Sequence, residues 1–249
     1  MEEYRIDPTI SYDVVPLPSN GIHYANKKKS LRVAYLTATD ENILSSQNLI
    51  ESGQVITELL KRKVLDREIP IEELVEEDKS AILIFLRNTA FGADYTMKLI
   101  DPKTKKEFET SINLDTLKIK EFTLKEDANG EYDYFLNKSK VPITFKFLNK
   151  KQEDELDKLK DSWSGTAIVP LATKRLEMMI KSVGGVRDAM QIWNFIEKMP
   201  IKDSQDFKKF VNENKPGLNL MQKVVTPSGE EVQFKIVFGV EFFRPFFGL

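Results

Sequence analysis

Ala81–Leu114 reads AILIFLRNTAFGADYTMKLIDPKTKKEFETSINL, and this stretch decides the fold class. Ala81, Ile82, Leu83, Ile84, Phe85 and Leu86 leave almost no polar face before Arg87, which predicts a helix buried on all sides. Gly92 follows as its stop, with a left-handed C-cap expected there. Tyr95, Met97 and Leu99 then alternate with polar residues, Asp101-Pro102-Lys103-Thr104 supplies a turn, and Phe108, Thr110, Ile112 and Leu114 alternate on the way back. An apolar helix leading into a hairpin is the unit of an α+β protein.

The same order recurs near the end of the chain. Pro102 lies ten residues after Gly92, and Pro227 lies ten after Gly217, in the turn Thr226-Pro227-Ser228-Gly229. Val232, Phe234, Ile236 and Phe238 return from it with strand alternation. Two such units suggest a duplicated helix-plus-ribbon element, with coincidence as the plain alternative. A lone two-stranded ribbon is marginal in water, so each must lean on its own domain or on a partner.

Between and around these units the signals alternate in type. Val14-Val15-Pro16-Leu17-Pro18-Ser19-Asn20-Gly21 reads as an extended arm, anchored by Tyr12, Ile22 and Tyr24. Leu31, Val33 and Tyr35 form a short strand, and Thr39-Asp40-Glu41 opens a helix ended by Gly53. Val55, Ile56, Leu59 and Leu60 line a further short helix ending in Lys61-Arg62-Lys63, and Asp78 is expected to cap the apolar helix. Asp127-Ala128-Asn129-Gly130 marks a turn between strands at Phe122, Leu124 and at Tyr132, Tyr134, Leu136, followed by a strand over Val141–Phe147. Lys150–Lys160 is a solvated helix or linker. Three helices follow, through Leu176–Ile180 to a stop at Gly184, through Met190–Ile196 to Pro200, and from a cap at Asp203 or Ser204 through Phe207, Phe210 and Val211.

These signals predict an α+β protein of alternating helices and small antiparallel hairpins in two lobes. An arm spans 1–30, a helix-and-hairpin lobe 31–148, a charged helix or linker 149–165, and a helical lobe with a final hairpin and a Phe-rich tail 166–249.

Composition limits the chemistry. The 249 residues, 41% hydrophobic, can bury one large core or two modest ones. Thirty-seven basic and thirty-nine acidic residues give a net charge of -2, so no global field exists to hold a nucleic acid. There is no Cys and a single histidine, His23, which excludes disulfides, thiol nucleophiles and a tetrahedral N/S zinc site. Glu72, Glu73, Glu76, Glu77 and Asp78 cluster without loop-ligand spacing and read as a solvated helix face. Gly184-Gly185 lacks the lysine of a phosphate loop, and Lys27-Lys28-Lys29 stands without interleaved aromatics. No run reaches the length of a membrane span, so a cytoplasmic setting is expected, with no catalytic residue, metal or cofactor.

What remains is aromatic surface. The chain carries sixteen Phe, seven Tyr and two Trp, and it closes on Phe242-Phe243-Arg244-Pro245-Phe246-Phe247-Gly248-Leu249. A terminus of that composition must be buried, in its own fold or under another subunit.

Five stretches together carry a resemblance: Val15–Tyr24, Ala81–Arg87 with Phe91–Tyr95, Ile143–Leu148, Asn214–Leu220, and Phe242–Pro245. In order and spacing the chain resembles the base plate protein family of T4-like (T-even) phages. Members of that family are base plate hub assembly proteins, so the resemblance implies a non-enzymatic role: promoting hub assembly by protein contacts in the host cytoplasm, or else persisting in the virion base plate. A carboxylate-metal hydrolase is the remaining alternative. The partners implied are hub or tape-measure proteins, with a homo-oligomer also allowed. Expected partner-binding residues are Val15, Pro16, Leu17, Pro18 and Tyr24 of the arm and Phe242, Phe243, Pro245, Phe246 and Phe247 of the tail. Some relatives carry Cys-Pro-x-Cys at the hairpin turns. Here Asp101, Pro102 and Pro227, Gly229 shape those turns, with Gly92 and Gly217 before them, so hydrogen bonding in place of metal is expected to hold each knuckle.

Overall fold

The computed structural model of the chain describes residues 9–162 and 169–243. In chain order these form β1 (Tyr12–Pro16), β2 (Ser30–Ala34), α1 (Glu41–Leu44), α2 (Gln47–Glu51), α3 (Val55–Lys63), α4 (Glu76–Phe91), β3 (Asp94–Ile100) and β4 (Glu107–Asn113). There follow β5 (Tyr132–Leu136), β6 (Val141–Phe145), α5 (Lys150–Ser162), α6 (Leu171–Met179), β7 (Ile180–Val183), α7 (Ala189–Glu197), α8 (Ile201–Asn214), β8 (Met221–Val225) and β9 (Glu231–Lys235). All strand pairings are antiparallel: β1-β2, β3-β4, β5-β6-β7 and β8-β9. The fold is α+β.

The chain divides into two compact units, Met1–Lys120 with Gly217–Leu249, and Glu121–Pro216. In the first unit α4 is central. Ile82, Leu83, Ile84 and Leu86 are buried and join Leu31, Val33, Leu59, Leu60 and Leu74 in one core. Each such side chain contributes about 1.5–3 kcal/mol on burial. The unit closes on itself where Ile119 bridges Leu218 and Lys120 N–H donates to Gly217 C=O.

The second unit is built on β5-β6-β7, whose inner face carries Tyr132, Tyr134, Ile143 and Phe145. Phe207 and Phe210 of α8 pack on that face, with ring centroids 5.2 Å from Phe145 to Phe207 and 4.6 Å from Tyr134 to Phe210. Phe122 packs on Tyr132 and Phe147. The expected strand at Phe122 and Leu124 is therefore not formed; the segment spends its aromatic side chain on this cluster, while the turn after Asp127 remains, with Gly130 N–H donating to Asp127 C=O.

Ile180, expected in a helix, starts β7 and pairs with Phe145. That pairing ties the residues on both sides of 149–165 into one unit, Glu121–Pro216. A sheet edge on β6 reaches across the charged stretch, which is α5, with Leu156 buried and Glu153 bonded to Arg175.

Candidate functional site

The arm is not free. After β1 it winds through successive tight turns, with Asn20 N–H bonded to Leu17 C=O, Ile22 to Ser19, Tyr24 to Gly21 and Lys27 to Tyr24. Gly21 has φ +78°, and a Cβ there would stand 2.6 Å from the Lys27 carbonyl, so only glycine fits.

The wound segment is held by Asp78. This residue is the third of α4, whose N-cap is Val75, so its carboxylate is not the cap expected from sequence. It accepts from Ser19 N–H at 2.9 Å, from Ser19 Oγ at 2.6 Å and from Tyr24 Oη at 2.6 Å, and Tyr24 Oη accepts from Val75 N–H at 3.2 Å. Asp78 is fully buried. Burial pushes its carboxyl up, and the donors from Ser19 and Tyr24 offset only part of that. Burial, then the adjacent Asp78, raise the Tyr24 hydroxyl. Val15, Leu17, Pro18 and Tyr24 thus face their own unit, and only Pro16 of the expected arm residues is exposed.

At the other terminus Phe242 and Phe243 are 1% and 0% exposed. Arg87 secures them: Nε donates to Phe242 C=O at 3.0 Å, Nη1 to Gly92 C=O at 2.7 Å and Nη2 to Asp94 C=O at 3.2 Å. Its guanidinium also lies 5.0 Å from the Tyr95 ring centre and 5.6 Å from that of Phe242. Gly92 does end α4 at positive φ, but with ψ 163° in place of the left-handed cap. The tail's first two aromatics are therefore docked on their own unit. Pro245, Phe246 and Phe247 lie outside the described residues.

The two proline turns come together. Asp101 accepts from Lys103 N–H at 2.9 Å and Thr104 N–H at 3.2 Å in its own turn, and from Ser228 Oγ at 3.0 Å and Ser228 N–H at 3.3 Å in the other. Gly229 N–H donates to Thr226 C=O, and Thr226 Oγ1 shares a hydrogen bond with Ser228 Oγ. Burial opposes ionisation of Asp101, but these donors outweigh it and hold the carboxyl below the usual carboxylate range. A crevice of about 290 Å³ beside the clasp is lined by Asp101, Phe108, Pro227 and Ser228 among others. Sequence marked Pro102 and Pro227 as turn residues of separate ribbons; the pairing of their tips had no local signal.

The comparison with protein families spans both units of the fold. The family model described as T4 bacteriophage base plate protein matches residues 12–244. The chain belongs to that family. Neither a curated protein nor a solved structure matches it significantly.

In this base plate protein the tips do not fit a metal knuckle. The four positions that would hold Cys-Pro-x-Cys thiols are Asp101, Thr104, Thr226 and Gly229, and both oxygens of Asp101 are already taken by N–H and O–H donors. Among the described residues no three His, Cys, Asp or Glu side chains are placed to share an ion. Of the acidic cluster, Glu72 pairs with Lys61 and Glu76 with Lys79, while Asp78 is spent on the arm.

Proposed function

We propose that this base plate protein is an assembly factor that promotes formation of the base plate hub by binding other tail proteins, in the host cytoplasm, without making or breaking bonds. Family membership carries the reading: a base plate protein acts among base plate proteins. The resemblance to hub assembly proteins narrows the partners to hub or tape-measure components. Exposed apolar side chains supply surface for such contacts, among them Val14, Met190, Ile201 and Val225.

Two measurements test this. A tagged chain isolated from infected cells should bring hub or tape-measure proteins with it. Mass spectrometry of purified tails should then lack the chain. Stoichiometric amounts in finished tails would make it a permanent component of the virion base plate instead, a reading that the family description accommodates equally.

The tail's part in capture passes to Pro245, Phe246 and Phe247, because Phe242 and Phe243 are core residues. Truncation after Arg244 should keep the fold and weaken capture; unaltered capture would remove the tail from the binding surface.

A further inference from the structure

The ribbon of β1 and β2 has one closed edge and one open edge. Tyr35 N–H donates to Ser11 C=O and Leu17 N–H to Lys29 C=O, so the odd-numbered residues of β1 bond to β2. The N–H and C=O groups of Tyr12 and Val14 therefore point away from it. At the centre of β2 the outward groups are occupied: Arg32 N–H donates to Asp66 at 2.7 Å, and Arg32 C=O accepts from Leu65 N–H at 2.9 Å. Among the described residues nothing bonds to the outward groups of Tyr12 and Val14.

The side chains at these open positions are apolar and exposed, Tyr12 by 40% and Val14 by 60%, with Ile10 before them and Pro16 after. The other hairpins of this unit are guarded. Asp101 N–H bonds to Lys106 C=O and Ile236 N–H to Leu220 C=O, which places Lys98, Glu109 and Lys223 inside the outward rows of β3, β4 and β8 and Glu231 and Lys235 in that of β9. Charge in each of those rows discourages strand addition, and β1 has none at its outward positions.

A second copy is a poor occupant. Pro16 has no N–H, so within the strand a two-fold pairing that uses both Tyr12 and Val14 must centre on Asp13. That sets Asp13 opposite its own counterpart, a like-charge cross-strand pair. The geometry points to an extended segment of a different protein that adds to β1 as an antiparallel strand, with apolar residues opposite Tyr12 and Val14 and a Lys or Arg between them opposite Asp13. This rests on the proposed binding role, and it moves the contact from the buried Leu17, Pro18 and Tyr24 to the outer side of the arm.

The test uses the full chain and two synthetic peptides, Thr-Thr-Val-Lys-Val-Thr-Thr and its counterpart with Glu for Lys. Hydrogen exchange should show protection of the Tyr12 and Val14 amides by the Lys peptide, with the Glu peptide weaker by about tenfold. Asp13→Lys should reverse the preference. Of the backbone groups of β1, Val14→Pro removes only an outward N–H, so β1 and β2 stay paired and peptide binding is lost. Absent protection in the folded wild type, or equal binding of the two peptides, overturns the proposal; so does a dimer that Val14→Pro abolishes, since the occupant is then a second copy. If Val14→Pro still co-purifies with hub proteins, the edge is not the docking site although the assembly role stands. A wild-type chain that captures no tail protein defeats the assembly role, whatever the peptides do.

Discussion

Asp78 and Asp203 are each the third residue of a helix, α4 and α8, and each is buried. Neither caps its own helix. Asp78 takes the N–H and Oγ of Ser19 within 2.9 Å; Asp203 takes the N–H and Oγ of Ser139 and the N–H of Lys138 within 2.8 Å. An acid at a helix start looks like a cap in sequence, because local spacing cannot reveal a donor from a distant segment. The helix N-terminus favours the negative charge in both cases.

Their titrations run in opposite directions. Burial raises Asp78, aided by Glu77, whereas for Asp203 burial is outweighed by backbone and hydroxyl donors and the carboxyl is lowered. Stability from Asp203 is present above the unfolded value of about 3.9 and is lost as pH falls through its lower folded value. Stability from Asp78 is present below about 3.9 and is lost as pH rises through its higher folded value. In denaturant titrations across acid pH, the deficit of Asp203→Asn against wild type should therefore grow with rising pH, and that of Asp78→Asn should shrink. Parallel trends would refute the assignment. At Gly21, alanine must displace the Lys27 backbone, and Gly21→Ala should cost more than about 1 kcal/mol by the same measurement.

At the scale of elements, the two hairpins were legible as hairpins because strand alternation and proline turns are local properties of Tyr95–Leu114 and Leu218–Phe238. Their contact was not legible: Asp101 and Ser228 are 127 residues apart. A thermal double-mutant cycle should show coupling, with Asp101→Asn and Ser228→Ala together lowering Tm by less than their separate effects combined. Because Asp101 is lowered by its donors, its contribution to the clasp should disappear as pH falls below the ordinary carboxylate range. Excess chelator should leave the Tm unchanged at neutral pH; a chelator-dependent Tm would mean that an ion, and not this hydrogen bonding, holds the tips.

For the whole molecule, the unit formed by Glu121–Pro216 is continuous, and the other is assembled from both ends of the chain. Phe207 is fully buried against Phe145, so Phe207→Ala should cost about 3–5 kcal/mol within 121–216. Amide exchange should show that loss there, with the slowest amides of α4 unaffected. Equal losses in both would mean that the units unfold as one.

Amino-acid order alone determined the α+β class, the run of helices and ribbons, the lack of thiol chemistry and, through five short stretches, the resemblance to a base plate family. Those properties depend on neighbours within a turn or a strand pair. Only the tertiary structure decided that β7 joins the sheet across a charged helix, that the arm faces inward at Leu17 and outward at Val14, and that Asp78 and Asp203 at the starts of α4 and α8 serve other segments. Each of these is a contact between residues far apart in the chain, where a buried acceptor takes whichever donor the packing brings to it, and periodicity carries no record of that choice.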